Sequence, residues 1–489
     1  MKKHPFLTSF PLAVFATARR RFQAALRAQR HRVIRKSISG YALLFESVLP
    51  PDFLEGIDPT KRQRSFGHIP VFWAWLAQIL EANASCSKAL GLIQAWYQAS
   101  GLAAPTGGTS GYCMARVNLR EDFLELTAQR ITNTLGQRIG PMDKWHELTL
   151  KAIDGSSVQL MDTEANQEVY PQPSSQKQGC GFPVMGIHGV VNLSHGGWEG
   201  FVTCDSRRHD AWAATSLLKH VQEGDLLLAD RAYCSYELIA RTTLERKAHV
   251  LMRLHQARHR KLDWRRGKKI SPIERLVTWK KPKRRTGRSE LTDAQWDELP
   301  DEITLRYIKL GYENRAGDKS VLVVVTDLLD PREYEATELA DLYARRWEIE
   351  LKLRDVKTTL GMEFFAVRTP DMAHKTLRMM IIAYNLMRIP MQQAAHQADE
   401  PVHHMSFKGT LDLVTSSHES FRPFAHKPRK RRSHYHALIE LCATKILDIQ
   451  PFRHEPRARK RRPKSYQLLT KPRHIFKENP HRESYRKSA

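Results

Sequence analysis

Within YARRWEIELKLRDVKTTLGME, residues 343–363, one carboxylate stands among phosphate-seeking groups. At 100° per residue, Tyr343, Arg346, Glu350 and Lys357 fall within an arc of about 60° on a helix, with Arg354 beside them. The ends of the set lie about 21 Å apart, several base-pair steps of duplex. Two chemistries suit this pattern. Glu350 with Arg346 and Arg354, at i−4 and i+4, makes a surface ion-pair ladder worth tenths of a kcal/mol per pair. Alternatively the helix face holds a nucleic acid strand, and Glu350 holds a metal ion against it.

Two aspartates could join Glu350. Asp154 lies in the strand-like LTLKAIDGSSVQLMD (148–162), which is expected to turn near Asp154-Gly155, and Asp230 closes the apolar run DLLLAD (225–230). In an open sheet, strand ends beside a helix are where sites form. Gathering three carboxylates is costly, because two like charges at 4 Å repel by about 4 kcal/mol at an effective dielectric near 20. Mg²⁺ compensates naturally, since it accepts oxygen ligands and bridges phosphate. Two such ions roughly 3.5–4 Å apart stabilise both the attacking and the leaving oxygen of a phosphodiester. Taken singly, an Asp at a strand end is also an ordinary cap or turn residue.

The elements that must position these acids can be read from the pattern. Residues up to about 140 are mostly helical, with apolar residues at helical spacing in IPVFWAWLAQILEA and SKALGLIQAWYQASG. APTGGTS breaks the pattern, and SGYCMARVNLREDFLELTAQRI starts another helix. This pair is either a DNA-reading module or a packed helical hairpin. From about 147 the order is three strands, helix, strand, helix, strand: a mixed sheet with helices on its faces. His188 and His195 lie in this region and read as structural or DNA-contacting rather than metal ligands. Residues 255 to about 320 interrupt the sheet with basic, Pro-containing sequence holding Trp264, Trp279 and Trp296, the last three of which read as core. Two further strands, one long helix stopped at Gly361 and an apolar helix over 374–398 follow.

The 489-residue chain has a formal charge of +26, distributed in blocks from RRRFQAALRAQRHRVIRK to RARKRRPK. Such an excess suits a polyanion, most simply nucleic acid. The six cysteines show neither CxxC pairs nor zinc spacing, as in a reducing cytosol. MKKHPFLTSFPLAVFATA imitates a signal peptide, yet His4 and Pro11 interrupt it and the following RRR opposes export. No apolar run approaches the roughly 18 residues of a membrane span.

The spacing Y-x2-R-x3-E-x6-K resembles the signature of bacterial insertion-sequence transposases of the DDE class, in the subgroup named for its Tyr-Arg-Glu-Lys motif, the insertion-sequence-four type. IDGSSVQLMDTEANQE resembles the first-Asp region of that family and GDLLLADRAYCSYEL the second. EPRARKRRPKSYQLLTKPR is similar to its basic C-terminal tail, and SCSKAL…SGYCMARVNL to its N-terminal region. The resemblance implies an α/β, RNase H-like mixed sheet with flanking helices and a mainly β insertion before the helix of the catalytic Glu. It implies five regions: a helical N-terminal DNA-binding domain (1–140), a catalytic core in two parts (141–254 and 321–400), the basic insertion (255–320), and a helical and basic C-terminal region (401–489). Asp154, Asp230 and Glu350 would be the catalytic acids and would bind two Mg²⁺, with Mn²⁺ as a substitute. Tyr343, Arg346 and Lys357, with Arg354 beside them, would grip phosphates at the transposon end.

The implied reaction is cutting by metal-activated water at the element's terminus, then attack by the freed 3′-hydroxyl on target DNA. The implied partner is double-stranded DNA, bound by a homodimer in the bacterial cytoplasm and nucleoid, with no membrane and no small-molecule substrate. A catalytically silent DNA-binding relative and an RNase H-like nuclease are the alternatives. Two departures stand out. Ala232 replaces the usual Gly of the second-Asp motif. The strand SVLVVVTDLL lacks the Trp that hairpin-forming relatives hold against a flipped base, leaving Trp279 or Tyr307 as the stacking substitutes.

Overall fold

The computed structural model describes residues 40–58, 66–81, 84–99, 103–105, 107–205, 210–285, 289, 291–313, 319–447, 471–472 and 475. The basic blocks at 19–36 and 457–464 lie outside the described residues. The strands are β1 (Thr149–Leu160), β2 (Val184–Asn192), β3 (Trp198–Asp205), β4 (Asp225–Ala229), β5 (His249–Arg253), β6 (Lys268–Ser271), β7 (Glu274–Lys280), β8 (Glu302–Glu313), β9 (Lys319–Thr326) and β10 (Phe364–Phe365). They form one sheet in the order β3-β2-β1-β4-β5-β9-β8-β7-β6, with β10 pairing β1. β3, β2 and β1 are antiparallel, whereas β1, β4 and β5 run parallel. This is the RNase H-like arrangement.

The principal helices are α1 (His68–Leu80), α2 (Cys86–Ala99), α3 (Ser110–Val117), α4 (Glu121–Gly136), α5 (Asp210–Leu217), α6 (Tyr236–Leu244), α7 (Gln256–Arg260), α8 (Ala336–Ala344), α9 (Trp347–Arg354), α10 (Pro370–Ala398), α11 (Phe407–Ser417) and α12 (Pro428–Ala443). Strand alternation divides the core in two. Ala152, Leu226, Leu228, Leu251 and Val324 face one apolar cluster, which also takes in α1, α4 and α10. Ile153, Leu227, Ala229, Val250 and Val325 face the other, with α6 and the insertion. The insertion therefore extends the sheet through β9, which pairs with both β5 and β8. The helix expected to start at 110 is divided into α3 and α4; α2 buries Ile93 and Trp96, and α4 buries Phe123, Leu124, Ile131 and Leu135, in the cluster shared with α10, so the helices flanking 104–110 are built into the common core.

The expected turn at Asp154-Gly155 is absent. β1 runs unbroken from 149 to 160, because β2 pairs with it on one edge over 151–159 while β4 and β10 hold the other. Gly155 serves a close approach instead: a Cβ there would meet His188 Nδ1 at 2.8 Å. The expected single helix over 335–361 is also broken. Arg345 and Arg346 donate their backbone N–H groups to Leu342 and Tyr343, three residues back, which interrupts the α-helical ladder between α8 and α9. Residues Asp355–Thr359 then form a π turn.

α10, 29 residues long, is the spine of the helical layer. Asn385 accepts from Trp198 N at 2.8 Å and donates to Trp198 O at 2.8 Å, and Arg388 Nε donates to His195 O at 3.1 Å. These bonds clamp the β2–β3 turn, where Gly196 takes a φ of +72°. Among the described residues no helix is long and apolar enough to cross a membrane.

Candidate active site

Register brings the two aspartates together. β1 and β4 pair in parallel up to Ile153↔Ala229, so Asp154 and Asp230 are each the next residue on adjacent strands. Neighbouring strands lie about 4.8 Å apart. Ile153 and Ala229 point into the apolar cluster with α6, which by alternation turns both aspartates to the opposite face. α9 packs there, anchored by Ile349 and Leu353. Its outward side carries Glu350.

Arg346, 8% exposed, lies among the acids. Its Nη2 donates to Glu350 Oε1 at 3.1 Å, and its Nη1 stands 3.9 Å from Asp154 Oδ2. Asp154 Oδ1 accepts from Gly155 N at 2.8 Å. Burial raises the Asp154 carboxyl above its ordinary value; Gly155 N–H and Arg346 oppose this, while Glu350 and Asp230 add to it. The charges of all three acids thus meet at Asp154. Tyr343 is buried beside Arg346; burial pushes its phenol well up, with Arg346 and Arg253 opposing this and Asp230 adding to it.

Beneath the acids, Tyr233 and His188 form a buried brace, with Tyr233 Oη and His188 Nδ1 3.0 Å apart. It ties the loop after β4 to β2. Ala232, in that loop, has no positive φ, so its Cβ carries no backbone penalty where relatives use Gly. His195 is buried in the β2–β3 turn beside Glu199, on a part of the fold remote from Asp154 along β2.

Glu350, Arg354, Lys357, Ser157, Gln159 and Asp154 line an open cleft of about 650 Å³. Asp154 and Asp230 also line an adjoining hollow of about 410 Å³ with Ser156, His188 and Tyr233. Of the four DNA contacts expected from the sequence, Arg354 and Lys357 face the cleft, whereas Tyr343 and Arg346 are buried behind it. All three acids supply oxygen donors suited to a hard divalent ion. Among the described residues, no three His, Cys, Asp or Glu side chains are grouped tightly enough to hold a metal as they stand. Trp279 and Tyr307 are buried and bonded to each other at 2.6 Å, so neither is a stacking substitute for the missing Trp.

Residues 145–386 match the family model described as transposase DDE domain. The matched region holds β1, β4 and α9 together with the three acids. Among curated proteins it is similar to "Transposase InsG for insertion sequence element IS4" of Escherichia coli (strain K12), 24% identical over 287 residues. That match covers 58% of this chain and 61% of the relative, so the chain spans about three fifths of that protein's length. Among solved structures, a cryo-EM piggyBac transposase synaptic complex with hairpin DNA aligns with 83% of this chain and 86% of its own at 12% identity and a TM-score of 0.40.

Proposed function

We propose that this protein is the transposase of an insertion sequence, cutting DNA at the element's terminal inverted repeats and joining the 3′-hydroxyl ends to target DNA. The observation that carries this reading is the parallel register of β1 and β4, which makes Asp154 and Asp230 neighbours under the helix bearing Glu350. Asp154, Asp230 and Glu350 would hold divalent ions, two Mg²⁺ with Mn²⁺ as a substitute. When bound, such ions activate the attacking oxygen and offset charge on the phosphate. Loading asks Arg346 to give up its contacts with Glu350 and Asp154, which frees its guanidinium for a DNA phosphate. Tyr343 holds the base of that side chain, while Arg354 and Lys357 hold phosphates along the cleft. The protein's share of the catalysis is positioning and charge stabilisation.

The same reading assigns DNA contacts outside the cleft to the N-terminal helices, the basic insertion and the basic C-terminal region. Two ends must be held at once, so the working form is a homodimer on DNA in the bacterial cytoplasm. The test is a Mg²⁺-dependent nicking assay on DNA bearing the inverted repeats that bracket the gene. Wild type nicks at the repeat ends, and Glu350→Gln binds the ends without nicking. A wild-type protein that binds the ends but never nicks in Mg²⁺ or Mn²⁺ is a DNA-binding protein only, and the enzymatic reading fails.

A further inference from the structure

Two of the six cysteines stand together. Cys204, Cys234 and Cys442 are buried, and burial pushes the Cys234 thiol up to about 12 and the Cys442 thiol up to about 11. Buried thiols of this kind are inert. Cys180 is half-buried in the loop before β2. Cys86 and Cys113 are also half-buried, and they lie where α1, α2 and α3 meet.

Cys86 is the first residue of α2, where backbone N–H groups have no helical partners. Its Sγ accepts from Gln78 Nε2 at 3.7 Å and from Arg116 Nη1 at 3.8 Å. Arg116 is itself held in place. Its Nη1 donates to Gln78 Oε1 at 3.2 Å, and its guanidinium lies over the Trp75 ring at 4.8 Å. Tyr112 Oη fixes Gln78 in turn, donating to the same Oε1 at 2.9 Å. Cys113 precedes Arg116 by three residues on α3, so the two side chains leave one face of that helix, toward Cys86. Cys86 is also the side chain that acts most strongly on Cys113. Burial first, then Cys86, raise the Cys113 thiol above its ordinary value, and Arg116 opposes them. Two sulfurs from different helices thus share one guanidinium.

We propose that Cys86 and Cys113 form a reversible disulfide when the protein meets hydrogen peroxide, locking the start of α2 to α3. The surroundings assign the order of events. Cys86 reacts first, as a thiolate with Arg116 and the α2 N–H groups as counter-charges. Its sulfur attacks one peroxide oxygen: an S–O bond forms, the O–O bond breaks, and the released hydroxide takes up the proton that the thiol gave up. Cys86 is then a sulfenic acid. The Cys113 sulfur attacks it: the S–S bond forms, the S–O bond breaks, and the departing hydroxide takes the Cys113 proton. Two thiols have lost two electrons and two protons, and the peroxide has become two waters. A dithiol reductant reverses the bond by exchange. A transient bond of this kind is compatible with a reducing compartment. Its ends are 27 positions apart in the chain, on either side of the 104–110 break. α3 is already tied to α10, whose Lys375 Nζ donates to Val117 O at 2.8 Å, so the bond fastens α2 to the spine of the helical layer. The inference does not rest on the transposase reading.

The experiment treats the reduced, full-length protein with hydrogen peroxide, removes the excess, alkylates the remaining thiols in denaturant and maps the peptides by mass spectrometry. Wild type falls from six alkylated cysteines to four, and the Cys86 and Cys113 peptides appear joined, about 2 Da lighter than their sum. Dithiothreitol restores all six. The oxidised protein unfolds roughly 5 °C higher than the reduced one. In Cys113→Ser, dimedone traps a sulfenic acid at Cys86, and in Cys86→Ser trapping at Cys113 is at least about tenfold weaker. Arg116→Gln slows disulfide formation in the same protein by about tenfold. Six alkylated cysteines in peroxide-treated wild type, a bond mapped to another pair or between two copies, or no rise in unfolding temperature overturns the proposal. Should a serine variant fail to fold, the wild-type peptide map and unfolding temperatures decide alone.

Discussion

The same two strands carry two ionic clusters, one at each end, built on opposite rules. At the start of β1 and β4, Lys151 and Asp225 are buried and join Glu199 from β3. The Lys151 ammonium has three donors, and each is used: Glu199 at 2.9 Å, Asp225 at 2.9 Å and His220 O at 2.7 Å. Asn192 donates to the remaining Glu199 oxygen at 2.7 Å, and Gln222 N donates to Asp225 at 2.8 Å. At the other end, three acids face a single guanidinium that reaches one oxygen at 3.1 Å and a second at 3.9 Å. The buried Arg346 Nε has no hydrogen-bond partner. The first cluster is closed and holds the sheet together. The second is under-compensated and opens on a cleft, which is how a site looks when part of its charge balance comes from a ligand.

Removing one charge from each cluster separates these roles. Asp154→Asn should lower Mg²⁺-dependent nicking by roughly a thousandfold, the size of several kcal/mol of transition-state stabilisation. Its thermal unfolding temperature should hold or rise, because the fold already disfavours the charged carboxyl. A clear drop in unfolding temperature would place Asp154 with the structural cluster. Lys151→Met should do the opposite, leaving two buried carboxylates without their cation and costing about 3–5 kcal/mol in urea unfolding. A variant as stable as wild type would show that Lys151 is not the keystone of the closed cluster.

A smaller effect is expected with pH. Burial, then the charge of Lys219, pushes the His220 imidazole down to about 4 from its ordinary 6.5. Between these values the unfolded chain takes up a proton that the folded chain refuses. This contribution to stability is therefore full above about 6.5 and is lost as pH falls toward 4. His220→Gln should flatten that slope in urea titrations, and an unchanged slope would assign it to other groups. Glu199 behaves differently: burial raises its carboxyl, but His195 and Lys151 outweigh this and hold it at about 2. Its contribution is full above the ordinary 4.5, declines as pH falls below that value and is gone below about 2. The smallest change should come from Ala232→Gly, which restores the residue common in relatives. With no positive φ to relieve, it should cost up to about 1 kcal/mol of stability through unfolded-chain entropy, with nicking unaltered. A gain in stability would mean that the Cβ is strained.

The sequence marked the candidate acids and the order of the elements, and it went astray where neighbours override local preference. Asp-Gly ordinarily turns a chain. In β1 it stays extended because the β2 ladder runs straight through it, Asp154 opposite Gly189 and Gly155 opposite His188, and the glycine serves the approach of His188. A continuous helical pattern from 335 to 361 gave no sign of the break at Arg345–Arg346, where the backbone N–H groups bond to carbonyls three residues back. Trp279 and Tyr307 could be either core or stacking groups until their burial was known.

By itself the sequence determined the chemistry on offer: carboxylates at strand ends and on a helix, cations at phosphate spacing, and a charge suited to a polyanion. Periodicity and residue type are local properties, and they can be read without a fold. Only the tertiary structure decided that Asp154 and Asp230 are neighbours, and that Arg346 turns inward while Arg354 and Lys357 face the cleft. Those relations depend on strand register and helix docking between segments dozens to hundreds of residues apart, where a shift of one residue would turn each side chain to the opposite face.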